Sequence, residues 1–256
     1  MRLIAGIIDL LFPPRRVCPL CGSSGAENKI CPRCLKVIAE YRREPVCFKC
    51  GRYFQQLPEP ECAPAGGGAV LCRDCGHGGR YFRLSRSAGP YEGDLKRAVL
   101  KLKYSGRRDL AGHLAGLMFQ SVAGNPHFIK VQVIAAVPLS PERLRQRGFN
   151  QSELLAAGMA EKMAVPLLPL LRKVRETPSQ TGLSRAGREA NLVGAFQLSD
   201  PGAVRGKTVL LVDDVITTGS TLNVASETLI RGGAAAVVCI TAAAGRTFIN
   251  LPGSYA

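Results

Sequence analysis

Nine of the ten cysteines in this 256-residue chain lie between Cys18 and Cys75, and eight of them form four Cys-x-x-Cys pairs: Cys18 with Cys21, Cys31 with Cys34, Cys47 with Cys50 and Cys72 with Cys75. Two thiolates separated by two residues bind one Zn²⁺ from a tight turn, and two such turns complete a tetrahedral Cys₄ set. Taken in order, the pairs predict two structural zinc sites. The first uses Cys18, Cys21, Cys31 and Cys34; the second uses Cys47, Cys50, Cys72 and Cys75, with the Pro/Gly-rich residues 55–68 looped out between its halves. Spacing alone leaves open crossed pairing, iron–sulfur ligation and the entry of Cys62 or His77 as a ligand. Four thiolates per ion leave no coordination position for a reactive water, so this segment is expected to be a platform and not a hydrolytic centre.

The remaining cysteine, Cys239, sits in an apolar run and is expected in a core. The stretch from Leu3 to Phe12 is apolar, but Asp9 interrupts it and Pro13-Pro14-Arg15-Arg16 follows in place of a small-residue cleavage site. It is too short to span a bilayer and predicts an amphipathic helix without stable membrane insertion. A cytoplasmic location is expected, where thiols stay reduced and disulfides are disfavoured. The formal net charge is +15 and both parts of the chain are positive, which favours anionic partners, whether phosphorylated metabolites, nucleic acid or acidic lipid. Basic residues around the cysteine pairs, Arg52 among them, are candidates for nucleic-acid phosphates or for a plain solvated surface. Phe48, Tyr53, Phe54, Tyr81 and Phe82 are the nearby candidates for base stacking.

From residue 81 the composition becomes that of a globular α/β domain, giving an expected division into a Cys-rich module over 1–80 and a second domain over 81–256. Leu95, Ala98, Val99 and Leu102 mark one face of a helix ending near Tyr104-Ser-Gly106, and a second helical pattern covers roughly 108–122. Apolar runs at 131–137, 209–212 and 237–242 read as buried strands alternating with helices, the pattern of a parallel sheet flanked by helices.

The second of these runs opens the segment that carries the chemistry: Val209-Leu-Leu-Val-Asp-Asp-Val-Ile-Thr-Thr-Gly-Ser-Thr-Leu222. Thr217, Thr218, Gly219, Ser220 and Thr221 combine hydroxyls with backbone amides at a predicted helix N-terminus, which favours an anion such as phosphate. Gly219 is expected at positive φ. Asp213 and Asp214 are placed where strand becomes loop, suited to vicinal hydroxyls or to the water shell of a divalent cation. Local helix capping is the simpler alternative for these residues. A nucleotide-triphosphate P-loop is excluded because no Gly-Lys-Ser/Thr ending is present. After the first predicted strand comes Arg143-Leu-Arg-Gln-Arg-Gly-Phe-Asn-Gln151, with a helix beginning near Asn150 or Ser152. Arg143 and Arg147, four apart, can share a side and each can fork onto a phosphate. Loops at the carboxyl ends of neighbouring parallel strands converge on one crevice.

The segment around Asp213-Asp214 resembles the 5-phosphoribosyl-pyrophosphate (PRPP) motif of type I phosphoribosyltransferases. Together with Arg143–Gln151, Arg175-x-Thr177-x-x-Gln180-x-x-Leu183, Arg188-x-x-Asn191 and Gly194-Ala195-Phe196, it resembles the ComF family, which joins a Cys-rich zinc finger to a phosphoribosyltransferase-like domain and includes proteins of natural transformation. The resemblance implies a PRPP site with Mg²⁺. Asp213 and Asp214 would hold the ribose hydroxyls, residues 217–221 the 5′-phosphate, and the turn at Leu139-Ser140 with Arg143 the pyrophosphate, while residues 172–191 would form a loop over the site. Two functions follow as expectations. One is ribosyl-phosphate transfer, a glycosyltransferase reaction, to an acceptor the motifs do not specify. The other is a DNA-uptake adaptor that holds single-stranded DNA or uptake proteins, with PRPP as a regulator at most.

Overall fold

One parallel sheet organises the chain, and successive residues along its strands feed two separate cores. The computed structural model describes residues 17–55, 69–175 and 194–249. In chain order the elements are α1 (Pro32–Tyr41), β1 (Tyr53–Phe54), α2 (Arg73–Gly76), β2 (Leu84–Ser87), α3 (Gly93–Tyr104), α4 (Leu110–Val122), α5 (Pro126–Ile129), β3 (Val133–Ala136), α6 (Pro141–Arg147), α7 (Gln151–Met163), β4 (Leu171–Lys173), β5 (Phe196–Leu198), β6 (Thr208–Ile216), α8 (Ser220–Arg231), β7 (Ala236–Ala244) and β8 (Arg246–Thr247). The main sheet has the order β2-β7-β6-β3, parallel throughout.

In a strand, alternate side chains point to opposite faces. Ile134, Leu210, Val212, Val238 and Ile240 enter one core with α3, α4 and α7; Val133, Ala135, Val209, Leu211, Val237 and Cys239 enter the other with Leu222, Ala225 and Leu229 of α8. Burial on both faces explains why these strands read as continuous apolar runs. Helix α3 buries Leu95, Ala98, Val99 and Leu102, the face expected from their spacing. Cys239 is fully buried, as expected of a core residue.

The cysteine pairs are packed into the same two cores. Cys18, Leu20, Cys34 and Ile38 belong to the first, whereas Cys47, Cys50, Cys72 and Cys75 belong to the second together with Tyr53, Phe54 and Phe82. Strand β1 pairs in parallel with β8, which directly follows β7, and Cys72 bridges Ile249. The second set of cysteines is thereby joined to the C-terminal side of the main sheet.

Several sequence expectations are corrected. Strand β6 continues through both aspartates to Ile216, because β7 is long enough to pair with it as far as Ala244; the acids lie inside the strand and not at its junction with the loop. Strand β2 and the antiparallel β4–β5 pair were not expected from the hydrophobic pattern, being short and partly polar. Tyr53, Phe54 and Phe82 are core residues, so of the five aromatics considered for stacking only Phe48 and Tyr81 are exposed. The amphipathic helix expected at residues 3–12, Cys62 and most of the loop expected at 172–191 lie outside the described residues. Among the described residues, no helix is long and apolar enough to cross a membrane.

Helices α4 and α7 meet through small residues, and a Cβ on Gly158 would lie 2.6 Å from the Ala115 Cβ. Helix α7 also delivers Gln151 and Ser152 to the sheet, so its seating matters for what lies there. Gly158→Leu is expected to destabilise the protein by about 1–3 kcal/mol through overpacking. A thermal melt checks it, with an unchanged midpoint contradicting the close approach.

Candidate functional site

The two cysteine sets assemble in the order that sequential pairing predicts: Cys18, Cys21, Cys31 and Cys34 in one cluster, Cys47, Cys50, Cys72 and Cys75 in the other, with the sulfurs of each cluster within 4.8 Å of one another. At a Zn–S bond of about 2.3 Å, a regular tetrahedron has a sulfur–sulfur edge of about 3.8 Å. The Cys18–Cys34, Cys21–Cys31 and Cys50–Cys72 separations are 3.9, 3.7 and 3.7 Å. Backbone amides also point at the sulfurs, Cys31 N–H to Cys18 Sγ at 3.4 Å and Cys72 N–H to Cys47 Sγ at 3.3 Å, as thiolate acceptors require. The donor set and its dimensions fit two structural Zn²⁺ ions. His77 belongs to neither cluster; its Nδ1 lies 2.7 Å from the Arg73 carbonyl.

A second site opens at the carboxyl ends of β3 and β6. It is a crevice of about 930 Å³ whose lining includes Leu139, Ser140, Arg143, Arg147, Asp213, Asp214, Thr217 and Thr221. Eight of the eleven residues expected at a ligand site therefore share one concavity. Thr218, Gly219 and Ser220 complete the same loop from behind: Thr218 Oγ1 lies 3.0 Å from Ser220 Oγ, Ser220 is buried, and Gly219 adopts φ +81° to start α8. The first amides of α8 have no partner within the helix, so this end of the crevice offers donors to an anion.

The acid pair is embedded in a network. Asp213 Oδ1 accepts from Ser152 Oγ at 2.8 Å and from the Asp214 amide at 2.8 Å. Asp214 Oδ2 accepts from Gln151 Nε2 at 2.6 Å, and its Oδ1 lies 2.8 Å from Lys103 Nζ. Gln151 Oε1 in turn accepts from Arg147 Nη1 at 2.9 Å, and Arg147 stacks over Tyr104 at 5.0 Å from the ring centre. Burial opposes the charge on Lys103, but the Asp214 and Asp213 carboxylates outweigh it and raise the lysine pKa. Burial, with the neighbouring Asp214 charge second, pushes Asp213 up to about 7.

Lys103, Gln151 and Ser152 are the functional candidates that sequence reasoning missed. The local design of the Arg-Gly-Phe-Asn-Gln stretch explains two of them. Gly148 ends α6 at φ +71°, and Asn150 caps α7 by accepting from the Ser152 amide at 3.0 Å while donating to the Val137 carbonyl at 3.1 Å. Gln151 and Ser152, the first residues of α7, are thus aimed at the two acids. Lys103 carried a weaker signal, a lysine on the last turn of α3 one residue before Tyr104.

Two outcomes follow. Elemental analysis is expected to find two zinc ions per chain, one of them lost on replacing Cys47 and Cys50 by Ser; a single ion in the unaltered protein would contradict the paired clusters. Because the folded-state value of Asp213, about 7, lies above its ordinary 3.8, ionising it costs stability as pH rises through that interval. Asp213→Asn keeps an oxygen acceptor for Ser152 and has no charge to acquire. Its melting temperature is expected to match the wild type at pH 4 and to exceed it at pH 8, whereas a difference of the opposite sign would contradict the burial of this carboxylate.

Comparisons with known proteins find matches to both parts of the chain. A phosphoribosyl transferase domain model matches residues 150–248, and a double zinc ribbon domain model matches residues 7–76. The DNA utilization protein YhgH of Salmonella typhi is 34% identical over 199 residues, covering 75% of this chain and 87% of its own length. Competence protein F of Haemophilus influenzae is 31% identical over 194 residues, covering 74% and 80% respectively. Among solved structures, the glutamine PRPP amidotransferase from B. subtilis aligns with 56% of this chain and 30% of its own at 25% identity and a TM-score of 0.38. The chain belongs to the ComF family, in which a double zinc ribbon is joined to a phosphoribosyltransferase-type domain.

Proposed function

We propose that the crevice binds PRPP and transfers its ribosyl-phosphate group to a nucleophilic acceptor. The observation that carries this reading is the joining of Asp213 and Asp214, the hydroxyl-bearing loop 217–221 and the basic α6 around one cavity. The loop amides and hydroxyls would take the 5′-phosphate. Leu139 and Ser140, with Arg143 and Arg147, would face the pyrophosphate, where guanidinium forks suit phosphate oxygens.

The acids are not two free carboxylates. Among the described residues, hydrogen bonds and the Lys103 ion pair occupy three of their four oxygens. Asp213 Oδ2 is left as the natural acceptor for a ribose hydroxyl. A fully liganded Asp214 fits poorly as a direct Mg²⁺ ligand, so Asp213 is the acid that would hold Mg²⁺. Bound there, it would neutralise charge on the leaving group. Lys103 holds positive charge beneath the acids, paired with Asp214. The chain's own contribution is positioning and electrostatic complementarity, with no covalent nucleophile.

A second reading, a single-stranded DNA adaptor, is favoured by one specific feature. Tyr104 is 68% exposed at the crevice mouth with Arg147 stacked upon it, and Phe48 is exposed beneath Arg86. Such pairs suit bases and phosphates of a flexible strand. The names of the relatives, which concern DNA utilization and competence, support the same reading.

Calorimetric titration of PRPP with Mg²⁺ separates them. The wild type is expected to bind, and Asp213→Asn to bind at least about tenfold more weakly through loss of a charged hydrogen-bond acceptor. Release of pyrophosphate on adding nucleobases or amines would establish transfer. Absence of PRPP binding, alongside salt-dependent binding of single-stranded DNA, would reject the first reading in favour of the second.

A further inference from the structure

Arg52, expected on the surface, is one of the most buried charged residues described, at 4% exposure. Its guanidinium reaches four acceptors in two different sites. Nε donates to Cys50 Sγ at 3.4 Å, and Nη2 donates to Cys72 Sγ at 3.1 Å and to Asp74 Oδ2 at 2.5 Å. Nη1 donates to the Thr217 carbonyl at 2.8 Å. Thr217 opens the loop that lines the crevice. The next carbonyl, Thr218, accepts from Arg80 Nη2 at 2.9 Å. Two consecutive loop carbonyls are therefore turned toward arginines of the Cys-rich side.

The backbone around Arg52 is equally constrained. The Cys47 amide donates to the Arg52 carbonyl at 2.9 Å, closing the turn. Gly51 adopts φ +69°, and a Cβ there would lie 2.4 Å from the Ser85 carbonyl oxygen of β2. The turn that presents Arg52 is thus pressed against the main sheet, and its position follows the sulfurs of the second cluster. Four thiolates around a divalent ion retain surplus negative charge, which a buried guanidinium offsets. Only a planar fork satisfies sulfur, carboxylate and carbonyl at once.

We propose that Arg52 is a positioning residue through which the second cysteine cluster, with its metal, sets the shape of the 217–221 loop and hence its grip on a phosphorylated pentose. This rests on the reading of that loop as the phosphate site. Metal in the cluster fixes Cys50 and Cys72, those sulfurs orient Arg52, and Arg52 holds the Thr217 carbonyl away from the incoming anion. The zinc ribbon is then part of the ligand site's construction, and loss of the second metal is felt as loss of affinity in the crevice.

The test uses the full chain with Arg52→Lys and Asp74→Asn, and Arg42→Lys as a control, since Arg42 bonds Gln120 away from the crevice. Zinc content, amide exchange over 215–222 and PRPP affinity are measured for each. Arg52→Lys is expected to keep both metals, to exchange faster specifically at 217–221 and to bind PRPP about tenfold more weakly, within the usual range of coupling between sites. Asp74→Asn should show the same pattern more weakly, and it decides the matter if Arg52→Lys loses metal. Unchanged loop exchange in the metal-loaded variants, or an increase spread evenly over the sheet, would overturn the proposal. If the wild type binds no PRPP, the functional reading falls, while loop exchange still decides the coupling.

Discussion

Two carboxylates on adjacent residues of a buried strand are costly unless each oxygen finds a partner, and much of the site's architecture satisfies that requirement. Strand β6 cannot end before Asp213, because β7 pairs beyond it to Ala244. The acids are thereby carried into the domain, and Lys103 from α3 with Gln151 and Ser152 from α7 must come to them. Residues of helices that build the first core thus also complete the crevice, so packing and crevice are one construction.

The cysteine clusters belong to that construction as well. Each is packed in a different core, and the second is tied to the strand following β7 and, through Arg52, to the carbonyl of Thr217. A metal-held turn has few internal degrees of freedom, so it can hold a neighbouring loop in a conformation that the loop's own residues specify weakly. Gly219 and the small hydroxyl residues around it leave that loop free to adopt several shapes. Arg52 and Arg80, bonded to successive carbonyls, narrow the choice.

Much of this was legible in the amino acids because its causes are local. The four Cys-x-x-Cys pairs between Cys18 and Cys75 announced two clusters, although only the structure decides between sequential and crossed pairing; the apolar runs at 131–137, 209–212 and 237–242 marked strands buried on both faces, and Gly219 announced a positive φ. The missing parts arise from long-range contacts. Lys103 and Arg52 look in sequence like any solvated basic residue, and what distinguishes them is an acceptor 111 or 165 positions away. Tyr53, Phe54 and Phe82 looked available for stacking because nothing local shows that the second cluster packs them inward. Strand β2 escaped notice since Leu84-Ser-Arg-Ser carries little hydrophobic signal and owes its conformation to pairing with β7.

The proposed function requires the acid pair and the 217–221 loop to form a single pocket for a phosphorylated pentose. An experimental structure of the zinc-loaded protein crystallised with PRPP and Mg²⁺ tests it most directly. The expected result is a 5′-phosphate against the amides at the start of α8 and a ribose hydroxyl bonded to Asp213, with the Lys103–Asp214 pair intact. Ligand density elsewhere on the protein, with the crevice filled only by solvent, would contradict it.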